Sequence, residues 1–325
     1  MKQLLSVLAL IISLCSGYVT TAQQLSLPRE SQSAMVSQTV GSSVITINYS
    51  RPAVKGRIIW GKLVPYGFEE NAFGNGKPMP WRAGANENTV ITFSHDVKLN
   101  GVELKAGSYG LHMIPAENKE WTIIFSKDYK AWGSFFYEKE NDALRITASP
   151  EKSNFSELLT YGFDNIKASS ARAYLTWENL LIGFTCEFEA DKITLESIRT
   201  QLTGAGGFNW QSWNQAAIYC LQSGKWLELG EQWCNKSIAL NENSTNRNTL
   251  GYLLMAQKKT DEALKLFKEN TDRYPADWNV WDSYGEALAT AGRKSEAIDY
   301  YKKALEIAPK GQAKRIEKAI KDISN

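Results

Sequence analysis

Residues 80–88 read Pro-Trp-Arg-Ala-Gly-Ala-Asn-Glu-Asn, and several of these side chains have chemistry to offer. Arg82 carries a planar fork of donors that suits a carboxylate or a phosphate, and it can also stack on Trp81. Glu87 has the character of a base, a metal ligand or an ion-pair partner for Arg82. Asn86 is a turn former, because its side chain bonds its own backbone. Two readings follow: Arg82 and Glu87 lock a loop onto a sheet, or the stretch is the rim of a binding site. The residue types favour the lock.

Other groups extend the candidate site. In Ser108–Pro115, alternation sets Tyr109, Leu111 and Met113 on one face and Ser108, Gly110, His112 and Ile114 on the other. Gly110 leaves space beside His112, which suits a close ligand or a neighbouring backbone. Were His112 near Glu87, the two would make an acid–base pair or half a metal site; a hydrogen-bonded structural histidine is the commoner arrangement. Arg51, Lys55 and Arg57 crowd one short loop, which reads as a solvated turn or as the cradle of an anion. Trp132 and Tyr137 belong to an aromatic stretch suited to sugar rings, to peptide side chains or to a core. The candidate ligand-binding set is therefore Arg51, Trp81, Arg82, Asn86, Glu87, His112 and Trp132, with the catalytic residues unassigned.

Most catalytic templates are absent. There is no GxSxG elbow, no Walker-type glycine loop and no dinucleotide fingerprint ahead of a helix. Glu87, Asp96 and Asp128 are acids from which a glycosidase pair could be drawn, but spacing along the chain does not set their separation. The chain has two histidines and no HExxH or His-x-His spacing, so neither a metal nor a cofactor is expected. With a formal net charge of +2 and interspersed signs, nucleic acid is not an expected partner.

These groups need elements to hold them. From Ser33 to Glu189 the chain is rich in Val, Ile, Thr, Tyr and Trp and alternates with period two, as in Ile45, Ile47 and Tyr49. Asn100-Gly101 predicts a tight hairpin pairing Leu99 with Val102, Lys98 with Glu103 and Val97 with Leu104. "RAYLTWE" and "NLLIGFTCEFE" read as two further strands. Many short strands without an intervening helix predict an antiparallel β-sandwich or open barrel.

Beyond Ile193 the composition turns to Ala, Leu, Glu and Lys. Trp281, Tyr284, Gly285, Leu288, Gly292, Ala297, Tyr301, Ala304 and Pro309 recur more weakly about 34 residues upstream as Leu250, Gly251, Leu254, Ala263, Phe267 and Pro275. A third copy, shifted by one residue after Gly224, precedes them. The pattern resembles the tetratricopeptide repeat, a pair of antiparallel helices. Ile316, Ala319, Ile320 and Ile323 predict a solvating end helix. Such an array either binds a protein or peptide or braces the domain before it. Trp210, Trp213, Trp226 and Trp233 read as its core.

The β region carries a second resemblance. "ITINYSRPAVKGRIIWGKLVPYG", "FGNGKPMPWRAGANENT", "AGSYGLHMIP", "EWTIIFSKDYKAWGSFFY" and "DALRI" are similar, in order, to an exported Gram-negative bacterial family known as domain of unknown function 2911, over about Gln32 to Glu189. The resemblance implies the fold and the compartment, and it brings no activity.

The expected organisation is α+β in separate domains: a signal peptide at 1–22, an antiparallel β-sandwich at 23–190, and a tetratricopeptide-like helical array at 191–325. Lys2, the apolar Leu4–Leu14 run and the small Thr20 and Ala22 describe the signal peptide, which is too short to span a bilayer comfortably. Leu14 before Cys15 is not the small residue that a lipidated cysteine needs. The remaining three cysteines, Cys186, Cys220 and Cys234, form no disulfide framework; they are free thiols, or Cys220 and Cys234 are bridged. The leading function is that of an exported, non-catalytic binding or scaffolding protein in the periplasm or secreted. The repeats would be its protein-facing surface, and a polar pocket in the β domain would take a small anionic or glycan ligand. The alternative is a periplasmic hydrolase using Arg82, Glu87 and His112. The export reading makes one prediction: protein released by osmotic shock has Gln23 as its first residue by amino-terminal sequencing. Chain retained in the cytosol with its leader intact refutes it.

Overall fold

Ile45, Ile47 and Tyr49 alternate with polar residues, and all three side chains are buried on one face of their strand. The same period runs through residues 32–187 of a computed structural model, which describes residues 27–70 and 72–324. The expected signal peptide lies outside the described residues. The chain divides into two compact units: one holds the described residues up to Gln38 and Val44–Glu187, the other Thr39–Ser43, at the first hairpin's turn, and the residues from Phe188 onward.

The first unit contains strands β1 (Gln32–Val40), β2 (Ser43–Arg51), β3 (Val90–Phe93), β4 (Val97–Leu99), β5 (Val102–Leu104), β6 (Gly107–Ile114), β7 (Trp121–Ser126), β8 (Asp142–Ala148), β9 (Glu151–Asp164) and β10 (Ser170–Glu187). They form a six-stranded sheet in the order β1-β2-β3-β6-β7-β8 and a four-stranded sheet in the order β5-β4-β10-β9. The registers between strands are antiparallel. The hairpin at Asn100-Gly101 has the pairing that alternation predicts, Leu99 with Val102 and Val97 with Leu104. Both turn residues have positive φ, 47° and 85°, the geometry for which Asn-Gly is suited.

One element differs from expectation. The two predicted strands over residues 172–189 are a single strand, β10, whose register against β9 slips on either side of Glu178. Glu178 has a φ of 55° and forms a bulge, so its polarity marks an irregularity within the strand rather than a turn between two.

The sheets pack face to face through aromatic side chains. Tyr49 of β2 meets Tyr161 of β9 at 4.8 Å, and Phe125 of β7 meets Phe184 of β10 edge-on at 5.4 Å. Trp60, in the loop after β2, lies 5.0 Å from Trp121, 5.6 Å from Trp81 and 5.9 Å from Trp177. Edge-to-face geometry lets the positive ring edges meet negative faces, worth about 0.5–1.5 kcal/mol per pair beyond burial.

The second unit consists, among the described residues, of helices α1 (Ala190–Thr203), α2 (Trp210–Ser223), α3 (Leu227–Leu240), α4 (Ser244–Ala256), α5 (Thr260–Arg273), α6 (Trp278–Thr290), α7 (Lys294–Ile307) and α8 (Lys310–Ser324). Side-chain caps start three of them. Asn209 accepts from Ser212, Asn243 forms a capping box with Asn246, and Asp277 accepts from Asn279. The helix pairs α2/α3, α4/α5 and α6/α7 are the three predicted repeats. Ile316 of α8 is fully buried against the last of them, with Ala319, Ile320 and Ile323 packed alongside. Trp233 is buried in the first repeat's core, with Trp213 and Trp226 against it.

The second and third pairs close through a large side chain seated on a small one. A Cβ on Gly251 would stand 2.5 Å from the Phe267 ring, and one on Gly285 would stand 3.0 Å from that of Tyr301. Cys220 and Cys234 are free and buried. The bridge that export chemistry permits is not formed: the Cys220 Cβ lies against Gly230, and the Cys234 thiol donates to the Asn246 carbonyl at 3.1 Å. Burial pushes the Cys234 thiol up to about 12.

Gly251→Ala is therefore expected to destabilise the repeats. Overpacking costs about 1–3 kcal/mol, against about 1 kcal/mol of helix propensity gained, because the fully buried Phe267 ring has nowhere to move. Urea unfolding should show a lower midpoint, and Phe267→Leu in the Gly251→Ala background should recover part of it. An unchanged or raised midpoint for the single variant contradicts this packing.

Candidate functional site

The loop carrying residues 80–88 is pinned at both ends. Trp81 exchanges two backbone hydrogen bonds with Met113 of β6, at 2.9 and 2.8 Å. At the other end the Asn88 side chain donates to the Asp128 carbonyl at 2.7 Å. Between them, Ala83 is fully buried with a φ of 48°, a conformation that costs a residue with a Cβ about 1–2 kcal/mol. Its carbonyl accepts from the Tyr161 hydroxyl at 2.8 Å and from Thr89 Oγ1 at 2.9 Å. These two bonds hold the strained residue in place. Asn86 is also left-handed, with a φ of 61°, and its side chain donates to the Ser31 carbonyl at 2.9 Å.

The lock is real, but its parts are not the pair expected. Arg82 donates through Nη1 to the Asn86 carbonyl at 2.6 Å, and its guanidinium lies 4.7 Å over the Phe135 ring rather than on Trp81. Gly133 makes room for it: a Cβ there would stand 2.4 Å from the guanidinium carbon. Glu87 faces another way and pairs with Arg29, an exposed contact that holds its carboxyl below the usual range mainly through that hydrogen bond. Burial lowers the Arg82 pKa, and the negative charge of Glu69 partly offsets this.

His112 is buried, and its Nδ1 lies 2.9 Å from Ser134 Oγ. Burial, reinforced by the positive charge of Arg82, drives its pKa down to about 3, so the ring is neutral at physiological pH. The space beside Gly110 is filled by protein: a Cβ there would meet Asn88 Nδ2 and His112 Nε2, each at 3.1 Å, and the Asp128 carbonyl at 3.4 Å. One of these neighbours is backbone, the Asp128 carbonyl, and the other two are side chains. The acid–base pair of Glu87 and His112, which the hydrolase reading needs, is not among their contacts.

The remaining candidates separate in the same way. Arg51 bonds the Leu159 carbonyl at 3.0 Å and Thr160 Oγ1 at 2.6 Å, so it ties β2 to β9 instead of joining an anion cradle. Trp132 is exposed beneath Arg29, with 5.6 Å from the guanidinium to the ring. Asp96 is held by Lys105 and the Ala106 amide, both at 2.8 Å, and Asp128 by Asn141 at 2.6 Å. The acids considered for a glycosidase pair thus have separate structural partners. Among the described residues no three His, Cys, Asp or Glu side chains gather as metal ligands would.

Trp81 and Arg82 do meet in one place. Together with Gly84 and Ala85 they line a cavity of about 290 Å³, with Lys55 and Arg57 from the loop after β2 and Trp177 from β10. Sequence reasoning passed over Trp177, which alternation put in a strand without saying what it faced. It also passed over Glu69 and Glu30, which carry no local signal and reach the cavity only through the fold.

A β-sandwich of this topology followed by paired helices defines the class of protein: a β domain with a tetratricopeptide array behind it. Residues 31–186 match the family described as protein of unknown function (DUF2911), and residues 248–311 match a tetratricopeptide repeat family. The first match spans the strands of the β unit, and the second spans most of α4 through α7. A stretch of 60 residues is 37% identical to the peroxisomal targeting signal receptor of Candida albicans, covering 18% of this chain and 10% of the receptor. The chain thus spans about a tenth of that relative's length. Similar solved structures include MamA, at 19% identity over 36% of this chain and 68% of that one, with a TM-score of 0.31. Another is the type III secretion translocator chaperone SycD of Yersinia enterocolitica, at 21% identity over 35% and 91%, with a TM-score of 0.32.

The buried histidine makes the stability of the β unit pH-dependent. In the unfolded chain a histidine takes up its proton near pH 6.5, whereas folded His112 resists until about pH 3. Its neutral burial therefore contributes fully above pH 6.5, and that contribution is lost as the pH falls below, at about 1.4 kcal/mol per unit. Hydrogen exchange of the β6 amides between pH 6.5 and 5, corrected for intrinsic rates, should show this loss of protection. His112→Gln should flatten it; an equal slope in the variant would assign the effect elsewhere.

Proposed function

We propose that the protein is an exported, non-catalytic scaffold of the cell envelope, with the helical repeats as its protein-binding surface and the β unit as a ligand-binding domain. One observation carries the reading: the tetratricopeptide match over residues 248–311, since stacked repeats of this kind build an extended surface used to hold peptides and partner proteins. The side chains along the first helices of successive repeats fit that use. Tyr252 of α4 bonds Glu286 of α6 at 2.7 Å, Asn248 bonds Asn279 at 2.8 Å, and Arg315 of α8 bonds Asp282 at 2.5 Å. The row is polar and pre-organised, and Glu286 is exposed at its outer side. Hydrogen-bonded side chains of this kind lose little entropy when a partner chain is laid across them.

A photoreactive residue at position 286 tests the reading in living cells of the native host, with position 302 on α7 as the control; both native residues, Glu286 and Lys302, are exposed. A discrete adduct is expected from position 286 and not from position 302, and Tyr252→Ala should diminish it several-fold. Adducts at neither position, or equally at both, would leave the repeats as a brace for the chain and overturn the proposal.

A further inference from the structure

The geometry of the cavity beside residues 80–88 points to one ligand chemistry: we infer that it takes a single carboxylate carried on a small ring, held by the Arg82 guanidinium and the Trp177 indole N–H against a tryptophan wall. The inference rests on the reading of the β unit as a binding domain and is independent of what the repeats hold.

Donors come first. Trp177 is 1% exposed and lines the cavity, yet its Nε1 finds no acceptor among the described residues. A buried N–H without a partner costs about 1–3 kcal/mol, and a ligand oxygen would remove that cost. Arg82 spends one nitrogen on the Asn86 carbonyl, and no carboxylate among the described residues pairs with it. The guanidinium is held between Phe135 and Gly133 in a strained, pinned loop. A planar fork so fixed is suited to an acceptor pair such as a carboxylate.

Charge then narrows the class. Two further cations line the cavity: Arg57, which bonds the Val54 and Ala53 carbonyls at 3.1 and 2.5 Å and keeps its charge, and Lys55, which lies 3.4 Å from Glu30. Glu69 also lines the space; it has no ion-pair partner among the described residues, and its negative charge acts on Arg82. Three cations (Lys55, Arg57 and Arg82) against two carboxylates (Glu30 and Glu69) leave the lining one positive charge in excess, which accommodates a monoanion and disfavours a dianionic phosphate. Shape narrows it further. The Trp81 and Trp177 rings lie nearly parallel, 6.1 Å apart and 13° from coplanar, so their edges and faces offer an apolar wall. At about 290 Å³ the space is at the small end of ligand pockets and suits one ring. A uronic acid and an aryl acid share this chemistry.

Calorimetric titration of the mature full chain with glucuronate and with phenylacetate separates the two sources. Methyl glucoside and phenylacetamide are the uncharged counterparts. At least one acid should bind saturably, and its neutral counterpart about tenfold more weakly or not at all. Whichever acid binds identifies the source. Arg82→Gln should weaken binding about tenfold or more, and Trp177→Phe, which keeps the ring and removes the N–H, about three- to tenfold. Glu69→Gln should tighten it about two- to threefold, because one repulsion is gone. Glu69 is exposed, so this variant stays informative if Arg82→Gln does not fold. The inference is overturned if neither acid saturates by about 20 mM, well above the millimolar range of weak specific binding. Neutral compounds binding equally well, or Glu69→Gln and Trp177→Phe leaving the affinity unchanged, would overturn it too. Crosslinking at position 286 bears on none of these outcomes, so failure of the scaffold reading and failure of this one are distinguishable.

Discussion

The carbonyl of Ala83 is the point on which the β unit's site depends. A buried alanine at a φ of 48° would relax toward the right-handed region were its carbonyl not gripped from two sides. Tyr161 reaches it from β9 of the four-stranded sheet, and Thr89 from the residue just before β3 of the six-stranded one. The two sheets therefore hold one loop between them. That grip sets the direction of the residues on either side: Trp81 and Arg82 before it, Gly84 and Ala85 after it, all facing the same cavity. Burial of the Tyr161 hydroxyl raises its pKa well above the usual phenol value, which keeps it a donor.

Around that point the unit is organised by large aromatic groups. Trp60 in the loop after β2 lies within about 6 Å of Trp121 from one sheet, Trp177 from the other and Trp81, and Trp81 in turn lies 6.1 Å from Trp177. Such a cluster buries much apolar surface, but it also brings indole N–H groups inside. Two of them, on Trp60 and Trp177, have no partner among the described residues. A core built for stability alone would use phenylalanine there.

The helical unit solves a different problem. Its repeats are too small to bury their own apolar faces, so each relies on its neighbour. The contacts that matter are therefore periodic: Gly251 under Phe267, Gly285 under Tyr301, then Ile316 of α8 closing the last exposed face. The polar bonds from α4 to α6 and from α6 to α8 span 31 to 34 residues, close to the length of one repeat.

What the sequence by itself determined is whatever depends on near neighbours. Period two and Asn100-Gly101 specify strands and a register within a few residues, and a 34-residue recurrence specifies paired helices, because these follow from backbone geometry and local sterics. Resemblance to a family named the β unit on the strength of several motifs in order. The tertiary structure decided the rest. Alternation put His112 on a face of β6 but could not say that Ser134 and Asn88 cover that face. Glu87 was adjacent enough to Arg82 to propose a pair, yet Arg29, far along the chain, is the residue that reaches it. Glu178 read as the end of a strand because a bulge and a turn use the same residue types. Trp177 and Glu69 came to line one cavity only when two sheets and a long loop closed on it. Side-chain partners separated by tens of residues are set by packing, and packing leaves no mark on the spacing along the chain.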